Sequence, residues 1–182
     1  MIKNILFLLL LAIFIKVMVF DGKLNASSYN TLSDTTYSGS TSKTIVDSSK
    51  LKEEIIDSMI VFAKKFIGLP YRYKGYDKSG FDCSGYIHYV FNKFGYQVPR
   101  SSIGLASIGK EIELSDAKKG DLLFFKGRNV NNKKIGHVSM VIDVDEKSVT
   151  MIHSTCRGII IDRLSDMNYY KVRFITARHL DL

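Results

Sequence analysis

The hydrophobic period of this chain changes once, and that change sets its fold class. Leu51, Ile55, Met59, Ile60, Ala63 and Phe66 recur at helical spacing, and Gly68 with Pro70 beyond ends the pattern. Ile87, Val90, Phe91 and Phe94 form a second helical stripe from about Cys83 to Phe94, with Asp82 as a natural N-cap and Gly95 as its stop. A short third helix is expected over residues 102–109. After Gly120 the period is two, which gives strands at 121–125, 137–142, 148–153, 158–161 and 172–179. Helices first and strands later, joined by short connections, predict an α+β chain with N-terminal helices packed on an antiparallel sheet of about five strands.

The 182 residues, 46% hydrophobic and 24% charged, suffice for one domain but not for two large ones. Two cysteines exclude a disulfide framework and a four-cysteine zinc site. The net charge of +8 favours an anionic partner, such as an acidic lipid, a nucleic acid or a cell-wall polymer.

Three regimes follow one another along the chain. Residues 1–20 hold an eleven-residue apolar run, Ile5 to Ile15, preceded by Lys3 and closed by Lys16. This reads as a signal peptide or an N-terminal membrane anchor, so the chain is expected to be exported to the bacterial envelope, the periplasm or beyond, with a possible membrane tether through residues 5–20. Residues 21–50 contain thirteen Ser or Thr and few hydrophobics, as expected of a flexible linker. The folded unit is expected over 51–182.

Cys83 falls in the first turn of the second helix, where free N–H groups and the helix dipole stabilise a thiolate. The competing reading is a disulfide with Cys156. Two histidines bracket a predicted hairpin. If paired residue numbers sum to 290, Ser139 faces Met151, Val141 faces Val149, and His137 lies opposite His153 on one face of the sheet. A cysteine at a helix start could then face two imidazoles across a groove. A His–His–Cys zinc site lacks a fourth ligand at useful spacing, so no metal and no cofactor is expected. His88 and His179 read as packing residues. The basic loop Lys126-Gly127-Arg128-Asn129-Val130-Asn131-Asn132-Lys133-Lys134 reads as a solvated turn, or as a holder of anionic substrate.

Six blocks in order resemble the NlpC family of bacterial cell-wall peptidases: Leu69-Pro70-Tyr71-Arg72-Tyr73, Phe81-Asp82-Cys83-Ser84-Gly85, Val98-Pro99-Arg100-Ser101-Ser102, Lys119-Gly120-Asp121-Leu122-Leu123-Phe124-Phe125, Gly136-His137-Val138 and Met151-Ile152-His153-Ser154. The resemblance implies a compact papain-like fold and a cysteine endopeptidase acting on peptidoglycan stem peptides, at the bond between γ-D-glutamate and the next diamino acid. It implies Cys83 as nucleophile, His137 as base and His153 as the third polar residue. Tyr71, Asp82, Ser84 and Ser102 match positions that contact substrate. A related cysteine amidase or acyltransferase, or a non-catalytic wall-binding protein, are the other functions to weigh. A monomer without a nucleic-acid partner is expected. A permanent bridge would destroy the nucleophile, so Cys156 reads as a small buried residue. Ser139 stands where relatives usually carry glycine, and the His137–His153 hairpin is longer than usual.

Overall fold

A computed structural model describes the backbone of residues 41–181 and the side chains from Ser48 onward. The expected export segment and the linker up to residue 40 lie outside the described residues. Helix α1 spans Thr41–Lys64, α2 Cys83–Lys93, α3 Ser102–Ala106 and α4 Asn168–Lys171. The strands are β1 Tyr76–Asp77, β2 Gly80–Phe81, β3 Lys110–Ile112, β4 Leu122–Lys126, β5 Ile135–Asp145, β6 Ser148–Thr155, β7 Gly158–Arg163 and β8 Phe174–His179.

Helix α1 starts ten residues before the expected boundary at Leu51. Every side chain from Ser48 to Glu54 is exposed, and the first buried ones are Met59 and Ile60. The core anchors only the C-terminal half. The upstream turns extend it because propagating an existing helix costs far less than nucleating one. Gly68, at φ +88, ends the segment.

β1 and β2 form a small ribbon, and the other six strands form one antiparallel sheet in the order β3-β8-β4-β5-β6-β7. The sheet therefore has one strand more than expected. The added strand, β3, pairs Lys110, Glu111 and Ile112 with His179, Arg178 and Ala177. It is short, charged and at an edge, as protected edges are, so it carries no readable alternation.

Both faces of the sheet are covered. Leu122, Phe124, Val138, Met140 and Ile152 meet Tyr86, Ile87, Val90 and Phe91 of α2 and Met59 and Ala63 of α1. Leu123, Phe125, Val141, Val149 and Met151 meet Leu164 and Tyr170 on the other side. Central strand β4 is consequently apolar from Leu122 to Phe125, with Lys126 at its end. The Tyr86 hydroxyl donates to the Ala63 carbonyl at 2.8 Å, tying α2 to α1 inside the core.

The β5–β6 hairpin differs from the expected register by two positions on the histidine side and by three next to the turn. Met140 pairs with Ile152 and Val141 with Met151, and Asp145 pairs with Ser148 around a two-residue turn. Asp145 fixes that turn by accepting from the Lys147 and Ser148 N–H groups at 2.8 and 3.1 Å. Counted from the turn alone, the pairing would put His137 and His153 on opposite faces. Ile142 is an extra residue between Val141 and Asp143, and this bulge returns them to one face.

Candidate active site

Asp82 has an extended backbone and accepts from the Gly85 N–H at 2.7 Å, which starts α2 at Cys83. Arg100 grips both Asp82 oxygens at 2.9 Å each and reaches the Ser84 hydroxyl at 3.1 Å and the Gly75 carbonyl at 2.9 Å. This cluster fixes the helix start. The Ser154 hydroxyl donates to the Phe81 carbonyl at 2.7 Å, joining β6 to the strand that leads into Cys83.

Cys83 and His137 line one cleft of about 380 Å³, together with Tyr71, Ser154, Tyr170 and the β4–β5 and β6–β7 connections. The backbone N–H of Val138, one residue after His137, acts on the Cys83 sulfur and pulls its pKa down, as do the N–H groups of Ser84 and of Cys83 itself. Burial outweighs them, so the thiol is raised above its ordinary value. Burial of this first turn thus works against the thiolate that its N–H groups support.

His137 Nε2 and His153 Nδ1 are 2.9 Å apart, although the two residues are offset rather than directly opposite. His153 Nε2 lies 3.1 Å from Asp162 Oδ2, and Arg157 bonds the same oxygen. These contacts fix both tautomers. A carboxylate only accepts, so His153 carries its proton on Nε2 and accepts at Nδ1. His137 must then donate from Nε2, which leaves Nδ1 as its basic nitrogen. Burial and the neighbouring His153 push the His137 imidazole down to about 3, so the ring is neutral. The Tyr170 ring covers the pair, with its centroid 5.6 Å from His137 and 4.9 Å from His153.

Of the four substrate-contact positions, Tyr71 reaches the cleft; Asp82, Ser84 and Ser102 do not line it. Tyr71 is held by a bridge to Phe81 and is 42% exposed. Asp82 and Ser84 are occupied by the Arg100 cluster. Cys156 and Cys83 are both free thiols. Cys156 is exposed rather than buried, because it sits with Arg157 in the tight β6–β7 turn at the cleft edge. His88 bonds the Val98 carbonyl at 2.8 Å and His179 bonds Asp121 at 2.7 Å, and neither lines the cleft. Ser139 is buried and donates to the Met151 sulfur at 3.2 Å.

Asp162, Arg157 and Tyr170 were not legible as site residues. A signal did exist for Asp162. A two-residue turn at Cys156-Arg157 pairs His153 with Ile160 and Met151 with Asp162, which puts Asp162 on the face of His153.

Comparison with known proteins gives this geometry a context. The model of the NlpC/P60 family matches residues 68–179. The γ-D-glutamyl-L-lysine dipeptidyl-peptidase of Bacillus subtilis is 38% identical over 100 residues, 55% of this chain and 32% of that protein. The murein DD-endopeptidase MepS/murein LD-carboxypeptidase of Escherichia coli K12 is 32% identical over 115 residues, 62% of this chain and 56% of that protein. This chain thus spans about a third of the Bacillus relative's length and just over half of the Escherichia relative's. A crystal structure of an NlpC/P60 family protein from Bacillus cereus superposes with a TM-score of 0.61 at 32% identity, over 68% of this chain and 39% of that one. The α+β, papain-like expectation agrees with this likeness.

Proposed function

Because the chain belongs to the NlpC/P60 family, we propose that it is an exported cysteine endopeptidase that hydrolyses an amide of peptidoglycan stem peptides, at the γ-D-glutamyl–diamino acid bond. The observation that carries this reading is the relay His137–His153–Asp162 ending in the cleft that holds Cys83. The names of the two relatives support the substrate class and differ in the bond they indicate. The apolar run of residues 5–15 supports export.

The resting pair is a thiol beside a neutral imidazole. His137 Nδ1 takes the Cys83 proton as the sulfur attacks the carbonyl carbon. The tetrahedral oxyanion needs donors already in place. The Gly85 and Tyr86 N–H groups are committed to Asp82, so those of Cys83 and Ser84 remain at the helix start, with Tyr71 lining the same cleft. The His137 imidazolium returns its proton to the leaving amine, and the C–N bond breaks to give a thioester. Water, deprotonated by His137, then releases the acid and the free thiol.

Incubating purified peptidoglycan with the protein and with Cys83→Ala, followed by mass spectrometry, tests this reading. New fragments ending in γ-D-glutamate, absent with the variant, are expected. Fragments of another kind that still depend on Cys83 would move the scissile bond. No fragments from folded, reduced protein would contradict the assignment.

A further inference from the structure

The cleft is lined by three cations, Lys126, Arg128 and Arg157, and by no carboxylate among the described residues. Arg157 is committed to Asp162. Lys126 and Arg128 form no ion pair with any described residue.

The loop that carries them has a fixed root. A Cβ on Gly136 would lie 2.5 Å from the Gly127 Cα, so the two backbones touch at a point where only glycine fits. The Lys126 N–H donates to the Arg173 carbonyl at 2.8 Å. Gly136 immediately precedes His137, so the same closure that positions the base positions Lys126 and Arg128. From there the Arg128 charge is felt by the Tyr71 hydroxyl, which lines the same cleft. Two unpaired cations beside a nucleophile, in a cleft lined by no acid, make a field that a neutral substrate leaves unused.

We propose that Lys126 and Arg128 form a carboxylate subsite, so that the cleft selects substrates bearing a free carboxylate beside the scissile amide over their carboxamide forms. The carboxylate is either that of the glutamyl residue on the acyl side or that of the leaving amino acid. The nature of the scissile bond rests on the reading above; the charge selectivity of the cleft does not.

Alkylation of Cys83 by iodoacetate and by iodoacetamide, read on its own peptide by mass spectrometry, tests the selectivity without a substrate. Relative to N-acetylcysteinamide, the iodoacetate/iodoacetamide rate ratio at Cys83 is expected to be at least about fivefold higher, as for about 1 kcal/mol of ion pairing. It should fall with added salt and in Lys126→Gln/Arg128→Gln. The salt titration on the unaltered protein covers the case in which the double variant fails to fold. A ratio equal to that of the small thiol, or indifferent to salt, would overturn the proposal.

The carboxylate's source is read from γ-D-glutamyl peptides amidated on either side of the scissile bond. One amidation is expected to lower kcat/KM by about fivefold or more, with the loss shrinking in the double variant. A loss in neither arm, or an equal loss in the variant, would also overturn it. If no such peptide is cleaved at all, the proposed reaction fails, and the alkylation ratio alone decides the subsite.

Discussion

Asp162 on β7 accepts a hydrogen bond from His153 Nε2 at 3.1 Å and thereby decides which nitrogen of His137 is basic. Asp162→Asn removes the obligatory acceptor, since an amide accommodates either tautomer of His153. We expect kcat to fall on the order of 10²–10⁴-fold with KM little changed. ¹⁵N NMR of the imidazoles should show the His137 tautomer becoming mixed. A parallel loss of folding stability with unchanged tautomers would make the contact purely structural.

Burial raises the Cys83 thiol above its ordinary 9.0. The thiolate is therefore disfavoured at neutral pH. Its alkylation by iodoacetamide is expected to rise by about tenfold per pH unit across pH 7–9, without a plateau near neutrality. A plateau below pH 8 would show a preformed thiolate–imidazolium pair.

The imidazoles of His137 and His153 are both held below their ordinary 6.5, by burial first of all. Below 6.5 the unfolded chain binds protons that the folded chain refuses, so stability falls as pH drops from 6.5 toward 3. The urea midpoint is expected to be lower at pH 5 than at pH 7.5. An unchanged or higher midpoint at pH 5 would contradict the burial of neutral rings.

Ile142, the extra residue of β5, is 5% exposed and keeps the two histidines on one face. Ile142→Ala keeps the residue count and should cost about 2–5 kcal/mol of stability while the folded fraction retains its kcat. Deleting Ile142 should instead abolish activity even in protein that circular dichroism shows to be folded, because one residue reverses the facing of His137.

The bond from the Tyr86 hydroxyl to the Ala63 carbonyl is buried, and neither residue lines the cleft that holds Cys83. The Phe66 N–H also donates to that carbonyl, so Tyr86→Phe does not orphan it. A loss of about 1 kcal/mol is expected, with alkylation of Cys83 unchanged. A fall in Cys83 reactivity would show that α1 acts on the site.

Cys83 was legible because its neighbours state their roles locally: Asp82 caps, Ile87, Val90 and Phe91 form a stripe, and Gly95 stops the helix. The meeting of His137 and His153 was legible as parity but not as register. Met140, Val141 and Ile142 are apolar in a row because both faces of β5 are covered there, so alternation gives no sign of which residue is extra. Asp162 stayed hidden for a related reason. A single acid in the apolar strand Gly158–Arg163 reads as its solvent side, and the turn count that sets it on the face of His153 becomes a contact only once the two strands are paired. Asp82 and Ser84 were legible as polar positions at the helix start, while their shared commitment to Arg100 depends on a contact between distant segments.

The central claim is that Cys83 attacks an amide and becomes acylated. Acid-quenching the protein within seconds of mixing with peptidoglycan fragments, then sequencing its peptides by mass spectrometry, reads this directly. A thioester-linked acyl group on the peptide carrying Cys83, absent after Cys83→Ala, is the expected result. Turnover with no adduct on Cys83, or turnover that survives Cys83→Ala, would contradict it.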